Sequence, residues 1–122
     1  ATDHAPHGCA AKALGMELAP FGVIGLELSL AAALTDLYHK KILTRRRLVE
    51  RMSAAPAALL GLKGKGTLAP GADADLAVVD PDGAWTPRAP FKSKSRNTPF
   101  AGRRLKGRVL TTLWAGRVVH AL

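Results

Sequence analysis

The apolar positions of this chain change their rhythm twice. Before residue 23 they keep no period, and Pro6, Gly8, Gly15, Pro20 and Gly22 break the segment, so residues 3–22 are expected to form a loop. From Val23 the spacing becomes helical. Val23, Leu26, Leu30, Leu34 and Leu37 recur three and four apart, and Ile24 and Leu28 widen the stripe. So broad an apolar face predicts a helix laid on a sheet or barrel wall. Thr44 is placed to cap a second helix carrying Leu48, Val49 and Met52. Three arginines, Arg45 to Arg47, occupy its first turn, where they oppose the helix dipole. Pro56 suits the first position of a short third helix, and Gly61 suits its C-terminal stop.

Beyond Gly71 the text becomes that of strands. Residues 75–80 are a β-rich run that Pro81-Asp82-Gly83 is expected to end in a turn. Trp85 is a candidate start for another strand. Residues 87–99 hold three prolines and read as loop. Residues 107–113 and 114–122 read as strands joined at Ala115-Gly116. So few short strands do not readily close a core, and they are expected to complete a sheet begun elsewhere. The chain therefore divides into a loop-and-helix part, residues 1–62, and a strand part, residues 63–122.

At 122 residues the chain suits one domain, but not a barrel enzyme of about 250 residues. A hydrophobic share of 48% permits a core. The longest apolar-rich stretch is interrupted by Glu27, Ser29, Thr35 and Asp36, short of the roughly 18 residues a membrane span needs. The single cysteine, Cys9, excludes an internal disulfide and fits a reducing compartment, the cytoplasm. The net charge of +9 comes largely from residues 45–47 and 92–108. Basic domains bind nucleic acid, but the aromatic interleaving of single-strand binders is missing, and a solvated basic face explains the charge more simply. A positive site would also favour an anionic substrate.

The candidate chemistry lies in Asp3-His4-Ala5-Pro6-His7, one carboxylate and two imidazoles in five residues. Asp and His are ligands for metals such as zinc. A carboxylate beside a metal can also carry a proton. Pro6 stiffens the loop and directs His7. The spacing alone favours a hydrogen-bonded polar loop over a metal site, because a catalytic zinc takes three protein ligands and this segment would have to supply them all. His39 and His120 read as ordinary structural residues.

The words Ala1-Thr2-Asp3-His4-Ala5-Pro6-His7, Lys12, Ala19-Pro20-Phe21-Gly22, Gly25-Leu26-Glu27, Ser93-Lys94-Ser95-Arg96-Asn97-Thr98-Pro99-Phe100 and Gly107-Arg108-Val109 together resemble bacterial-type dihydroorotases of the amidohydrolase superfamily. The word from Gly66 to Leu76 is shared more widely among amidohydrolases. The resemblance implies an α/β fold: the C-terminal part of a (β/α)8 barrel over residues 1–62, and strands of a small β-sandwich over residues 63–122. It implies zinc, binuclear in the complete enzyme. The implied reaction is reversible cyclisation of N-carbamoyl-L-aspartate to dihydroorotate in pyrimidine biosynthesis. Asp3 then matches a metal ligand and general acid/base at the end of the eighth barrel strand, the end where barrel enzymes place their chemistry. His7 matches a contact to the substrate carboxylate, and Phe21 and Gly22 match backbone contacts to the ring. His4 carries no such role and is expected to orient the loop. A homo-oligomer or aspartate carbamoyltransferase is the implied protein partner; nucleic acid and membrane are not.

Two departures stand out. Gly8-Cys9-Ala10-Ala11 replaces the acidic residues common after the second histidine, at positions expected on the surface. No His-x-His motif or substrate-binding Asn–Arg set is present, so the chain is expected to be a piece of a longer protein, inactive alone. Two other readings remain open: a non-catalytic relative that scaffolds aspartate carbamoyltransferase, and a related cyclic amidase such as an allantoinase or dihydropyrimidinase. Retention of both Asp3 and His7 disfavours the scaffold. The isolated 122 residues are expected to show no turnover and to bind a dye that reports exposed apolar surface. A cooperative melt without dye binding would contradict that expectation.

Overall fold

A computed structural model describes residues 2–122; Ala1, which opens the first family word, lies outside them. The N-terminal segment is a loop as expected, apart from a single helical turn, α1 (Cys9–Lys12). The next helix does not begin at Val23. It is α2 (Ser29–Ala33), and it continues directly into a π turn over Leu34–Tyr38. The delay has a local cause. The amide of Ile24 donates to Asn97 O at 2.9 Å, and those of Gly25 and Leu26 donate to His4 Nδ1 at 3.0 and 3.3 Å. These groups are committed to the loop. The buried stripe shifts accordingly: Ile24, Leu28, Ala31 and Leu34 are buried, while Val23 and Leu26 are exposed.

The second and third expected helices are one. α3 (Arg45–Val49) runs through a π turn over Glu50–Ala54 into α4 (Ala55–Leu59). Ala55 N–H donates to Glu50 O, five residues back. Pro56 has no N–H to offer Met52 O, and its ring would crowd that carbonyl in a regular helix, so a widened turn just before it accommodates the proline. Thr44 does cap the helix, its Oγ1 accepting from Arg47 N–H at 3.2 Å. Two of the three arginines acquire partners. Arg47 meets the Glu50 carboxylate at 2.8 Å, and Arg45 lies 5.6 Å from the Tyr38 ring centre and donates to its hydroxyl.

The strand part is one antiparallel sheet in the order β1 (Leu76–Trp85), β2 (Leu105–Trp114), β3 (Arg117–Ala121). β1 does not stop at Pro81-Asp82-Gly83. The pairing passes from Asp80 opposite Arg108 to Ala84 opposite Lys106, four residues advancing against two. Asp80 Oδ1 accepts from the amides of Asp82 at 2.9 Å and Gly83 at 3.0 Å. The side chain thus satisfies the amides that leave the ladder, and the word is a bulge within one strand. Trp85 ends that strand instead of starting another. Ala115 and Gly116, with φ of 48° and 77°, join β2 to β3 in the mirror-image turn that suits the twist of a hairpin. Lys65 meets Asp73 at 2.9 Å and also Asp75, and these carboxylates, Asp75 first, hold the Lys65 ammonium above its usual range.

Helix and sheet meet at α2, its π turn and β2. Leu34 lies against the backbone of Gly107, where a Cβ would come within 2.4 Å of Leu34 Cδ1 and where φ is +102°. Thr35 Oγ1 accepts from Lys106 N–H at 2.8 Å and donates to Ala31 O at 2.7 Å. Trp85 Nε1 donates to Gly107 O, and His39 Nε2 donates to Pro81 O. Asp36 bonds Arg103 and, at 2.8 Å, Lys40. Those two cations, Arg103 first, hold its carboxyl below the ordinary value of 3.8. The described residues contain one sheet and, beyond a single parallel bridge of His4 with Val23, no parallel pairing. They form an α/β unit without a closed barrel or a second sheet.

Gly107→Ala should destabilise the fold by about 2–4 kcal/mol, because overpacking against Leu34 adds to backbone strain. A fall in the denaturant midpoint at unchanged slope would show it. The Asp36 contribution should be complete above the ordinary carboxylate range and fade as pH falls through the lowered folded value. Asp36→Asn should therefore flatten stability against pH in the acid range and cost under about 1 kcal/mol at neutral pH, as an exposed pair does.

Candidate functional site

The N-terminal loop folds back on itself. Ala5 N–H donates to Val23 O at 2.9 Å. His4 packs its ring edge under the start of the next segment, where Nδ1 accepts two amides. That bonding fixes the proton of a neutral His4 ring on Nε2. Three residues on, His7 Nε2 lies 2.7 Å from Phe21 O, and because a carbonyl only accepts, Nε2 carries the proton. Lys12 Nζ donates to Pro20 O at 2.9 Å and Gly22 O at 3.3 Å. Gly22 sits at φ +122°, and a Cβ there would come within 2.4 Å of Ala5 Cβ and 3.2 Å of His7 Nε2. Only glycine permits that approach without displacement.

A third segment closes the arrangement from the far end of the chain. Asn97 Nδ2 donates to Gly22 O at 2.9 Å, while its Oδ1 accepts from His7 N–H at 3.3 Å. Ser95, which is buried, donates from Oγ to His7 O and lies beside Asn97 Oδ1. The loop bearing these residues is pinned independently. The Glu27 carboxylate accepts from the amides of Lys92 and Ser93, each at 3.0 Å.

The structure therefore brings His7, Phe21 and Gly22 together. Asp3 is exposed, adopts a left-handed φ of 44°, and has no hydrogen bond or ion pair among the described residues. The Phe21 side chain is 94% exposed, so its contribution to the cluster is its carbonyl. Two clefts, of about 380 and 730 Å³, lie elsewhere, and neither is lined by any of these four residues. Ser95, Asn97 and Glu27 were given no role by the sequence reading, although each lies in a word that carried the family resemblance.

A metal can be tested against the donors present. Among the described residues no three His, Cys, Asp or Glu side chains are grouped to share an ion. His4 Nδ1 already accepts two amides, and His7 Nε2 carries a proton held by a carbonyl. Asp3 and His7 Nδ1 are the uncommitted donors in the cluster expected from the sequence. A catalytic zinc takes three protein ligands, so the residues here do not by themselves fit one.

Comparison with known proteins bears on the whole chain. It is 48% identical over 120 residues to a dihydroorotase of Pelotomaculum thermopropionicum and over 121 residues to one of Anaeromyxobacter dehalogenans, in each case across 98% of this chain and 28% of the relative. The chain thus spans a little over a quarter of the length of these relatives. Among solved structures it resembles the L-hydantoinase (dihydropyrimidinase) of Arthrobacter aurescens, with a TM-score of 0.79 and 40% identity over 84% of this chain and 23% of that one. A D-hydantoinase from Bacillus sp. AR9 gives 0.78 and 25% over 85% and 23%. The amidohydrolase family model matches residues 28–120, and with identity at this level the chain belongs to the amidohydrolase family.

Proposed function

We propose that this chain is the C-terminal part of a dihydroorotase, a cyclic amide hydrolase that interconverts N-carbamoyl-L-aspartate and dihydroorotate in pyrimidine biosynthesis. The observation that carries the reading is 48% identity to dihydroorotases along 98% of the chain. In this reading residues 1–62 end the barrel and residues 63–122 contribute to a β-sandwich. Ring closure joins the ureido nitrogen to the side-chain carboxyl carbon and expels water; ring opening returns the water.

Asp3 is the proposed proton carrier and this chain's one ligand to zinc, binuclear in the complete enzyme. Its exposure and lack of a partner leave both oxygens available for that work. His7 is the proposed contact to the substrate carboxylate. Its Nε2 is taken by Phe21 O, so it can meet a carboxylate only through Nδ1–H, as an imidazolium, in a charge-assisted bond. Gly22 O already accepts from Asn97 and Lys12, which leaves the Gly22 N–H, unpaired among the described residues, as the backbone donor toward the ring. The proposed location is cytoplasmic, in keeping with the free Cys9 thiol, and the proposed protein partner is a second copy or aspartate carbamoyltransferase.

A second reading, a hydantoinase-like amidase, is favoured by the 40% identity to the Arthrobacter aurescens enzyme. In the longer protein carrying this segment, turnover of carbamoyl aspartate and dihydroorotate, with hydantoin poorly used, is expected; the reverse preference would establish the second reading. Asp3→Ala should abolish turnover. His7→Ala should raise KM about tenfold or more with a smaller change in kcat, the loss expected for a charge-assisted contact. Near-normal turnover by Asp3→Ala would remove its assigned role.

A further inference from the structure

The word Ser93–Phe100 carries part of the family resemblance, yet none of its residues has a part in the proposed chemistry. Its geometry gives one of them a part. Asn97 stands between the two loops that supply His7 and Gly22, which lie 90 and 75 residues away in sequence. Its single planar amide serves both. Oδ1 accepts from His7 N–H, Nδ2 donates to Gly22 O, and its backbone carbonyl takes Ile24 N–H just beyond. The opposite orientation of the amide would set a donor against the His7 N–H and an acceptor against Gly22 O, so the network fixes the assignment. The loops themselves cannot close further, because Gly22 already approaches Ala5 and His7 as nearly as a residue without a side chain can.

We propose that Asn97 is a positioning residue. By bonding His7 and Gly22 with one amide, it holds the imidazole and the Gly22 N–H at a fixed separation, and so sets affinity for the carboxylate-bearing ring. The proposal rests on the functional reading above. The chemistry requires an amide of this length. An aspartate offers two acceptors and turns a charged oxygen toward Gly22 O. A glutamine moves the amide outward by one methylene, about 1.5 Å, and a misplacement of about 1 Å at a site can cost roughly 100-fold. The loop does not depend on Asn97 for its attachment, since Glu27 holds it through the Lys92 and Ser93 amides. Variants at Asn97 can therefore report on positioning with the loop still anchored.

The test uses the longer protein carrying this segment. Asn97→Asp should raise KM for dihydroorotate about tenfold, the scale of one lost hydrogen bond, with kcat within about threefold. Placed in a His7→Ala background, the same change should add clearly less than about tenfold, because the share of its effect that passes through the imidazole is already lost while the share through Gly22 remains. Full additivity of the two substitutions, or an unchanged KM in Asn97→Asp, would overturn the proposal. Hydrogen–deuterium exchange gives a readout that needs no substrate. Asn97→Asp and Asn97→Ala should both speed exchange in residues 5–9 and 20–24 together, with the sheet unchanged. Faster exchange in only one loop, in neither, or throughout the molecule would overturn it. If the unaltered protein turns over hydantoin and not dihydroorotate, the functional reading fails separately, while the exchange result still decides whether Asn97 couples the loops.

Discussion

A loop with almost no regular structure can hold side chains in place only if other parts of the chain pair its backbone polar groups. Here that pairing is done by side chains, Lys12 and Ser95 among them, and chiefly by three. His4 takes the amides of Gly25 and Leu26, His7 gives its ring proton to Phe21 O, and Asn97 bonds both His7 and Gly22. A hydrogen bond of this kind to backbone is worth on the order of 1 kcal/mol net where partly buried, but costs more if one partner is left unpaired. The arrangement is therefore specified more by the cost of breaking it than by the gain in making it. It also tolerates no side chain at residue 22, which is why a glycine marks the closest approach.

This loop is held against a frame whose own join is equally specific. The helix from Ser29 meets β2 where Leu34 covers the bare backbone of Gly107, and Thr35 crosses to Lys106 N–H beside it. The helix widens into a π turn at that contact, with His39 N–H reaching back to Leu34 O. Ile24 and Leu28 carry the same buried stripe up to the loop, so packing on the sheet and closure of the loop are continuous. Asn97 makes that continuity concrete: its carbonyl bonds the first buried residue of the stripe while its side chain bonds the loop.

What could be read from the sequence was whatever neighbours in sequence decide. Thr44 caps its helix and Ala115-Gly116 turns its hairpin because the groups involved lie within three residues of each other. The misreadings share the opposite character. Val23 looked like a helix start because the apolar spacing is helical there, but His4 and Asn97, both distant in sequence, had already taken the amides a helix would use. Pro81-Asp82-Gly83 has the composition of a turn, and Asp80 does cap it locally; only the partner strand decides that the chain continues as a bulge. The donors of the N-terminal word were visible, but whether they face one point was not, and bonding to backbone commits one nitrogen of each histidine. Asn97 escaped notice for the same reason, since an asparagine in a Ser- and Lys-rich loop looks like solvated surface until its partners 75 and 90 residues away are known.

The likeness to both dihydroorotases and hydantoinases is intelligible if frame and recognition are separate. The helix–sheet join makes no reference to substrate, so cyclic amidases of different preference can share it. Under the proposed function, the difference between ring substrates is a carboxylate, and the loop handles that difference through His7. With Nε2–H held by Phe21 O, only Nδ1 is left to meet a substrate: without a proton it would accept, as from a ring N–H, and with one it would donate, as to a carboxylate. Under that reading a carboxylate-bearing ring and an uncharged one would meet the same nitrogen in opposite roles, because the Phe21 carbonyl claims the other.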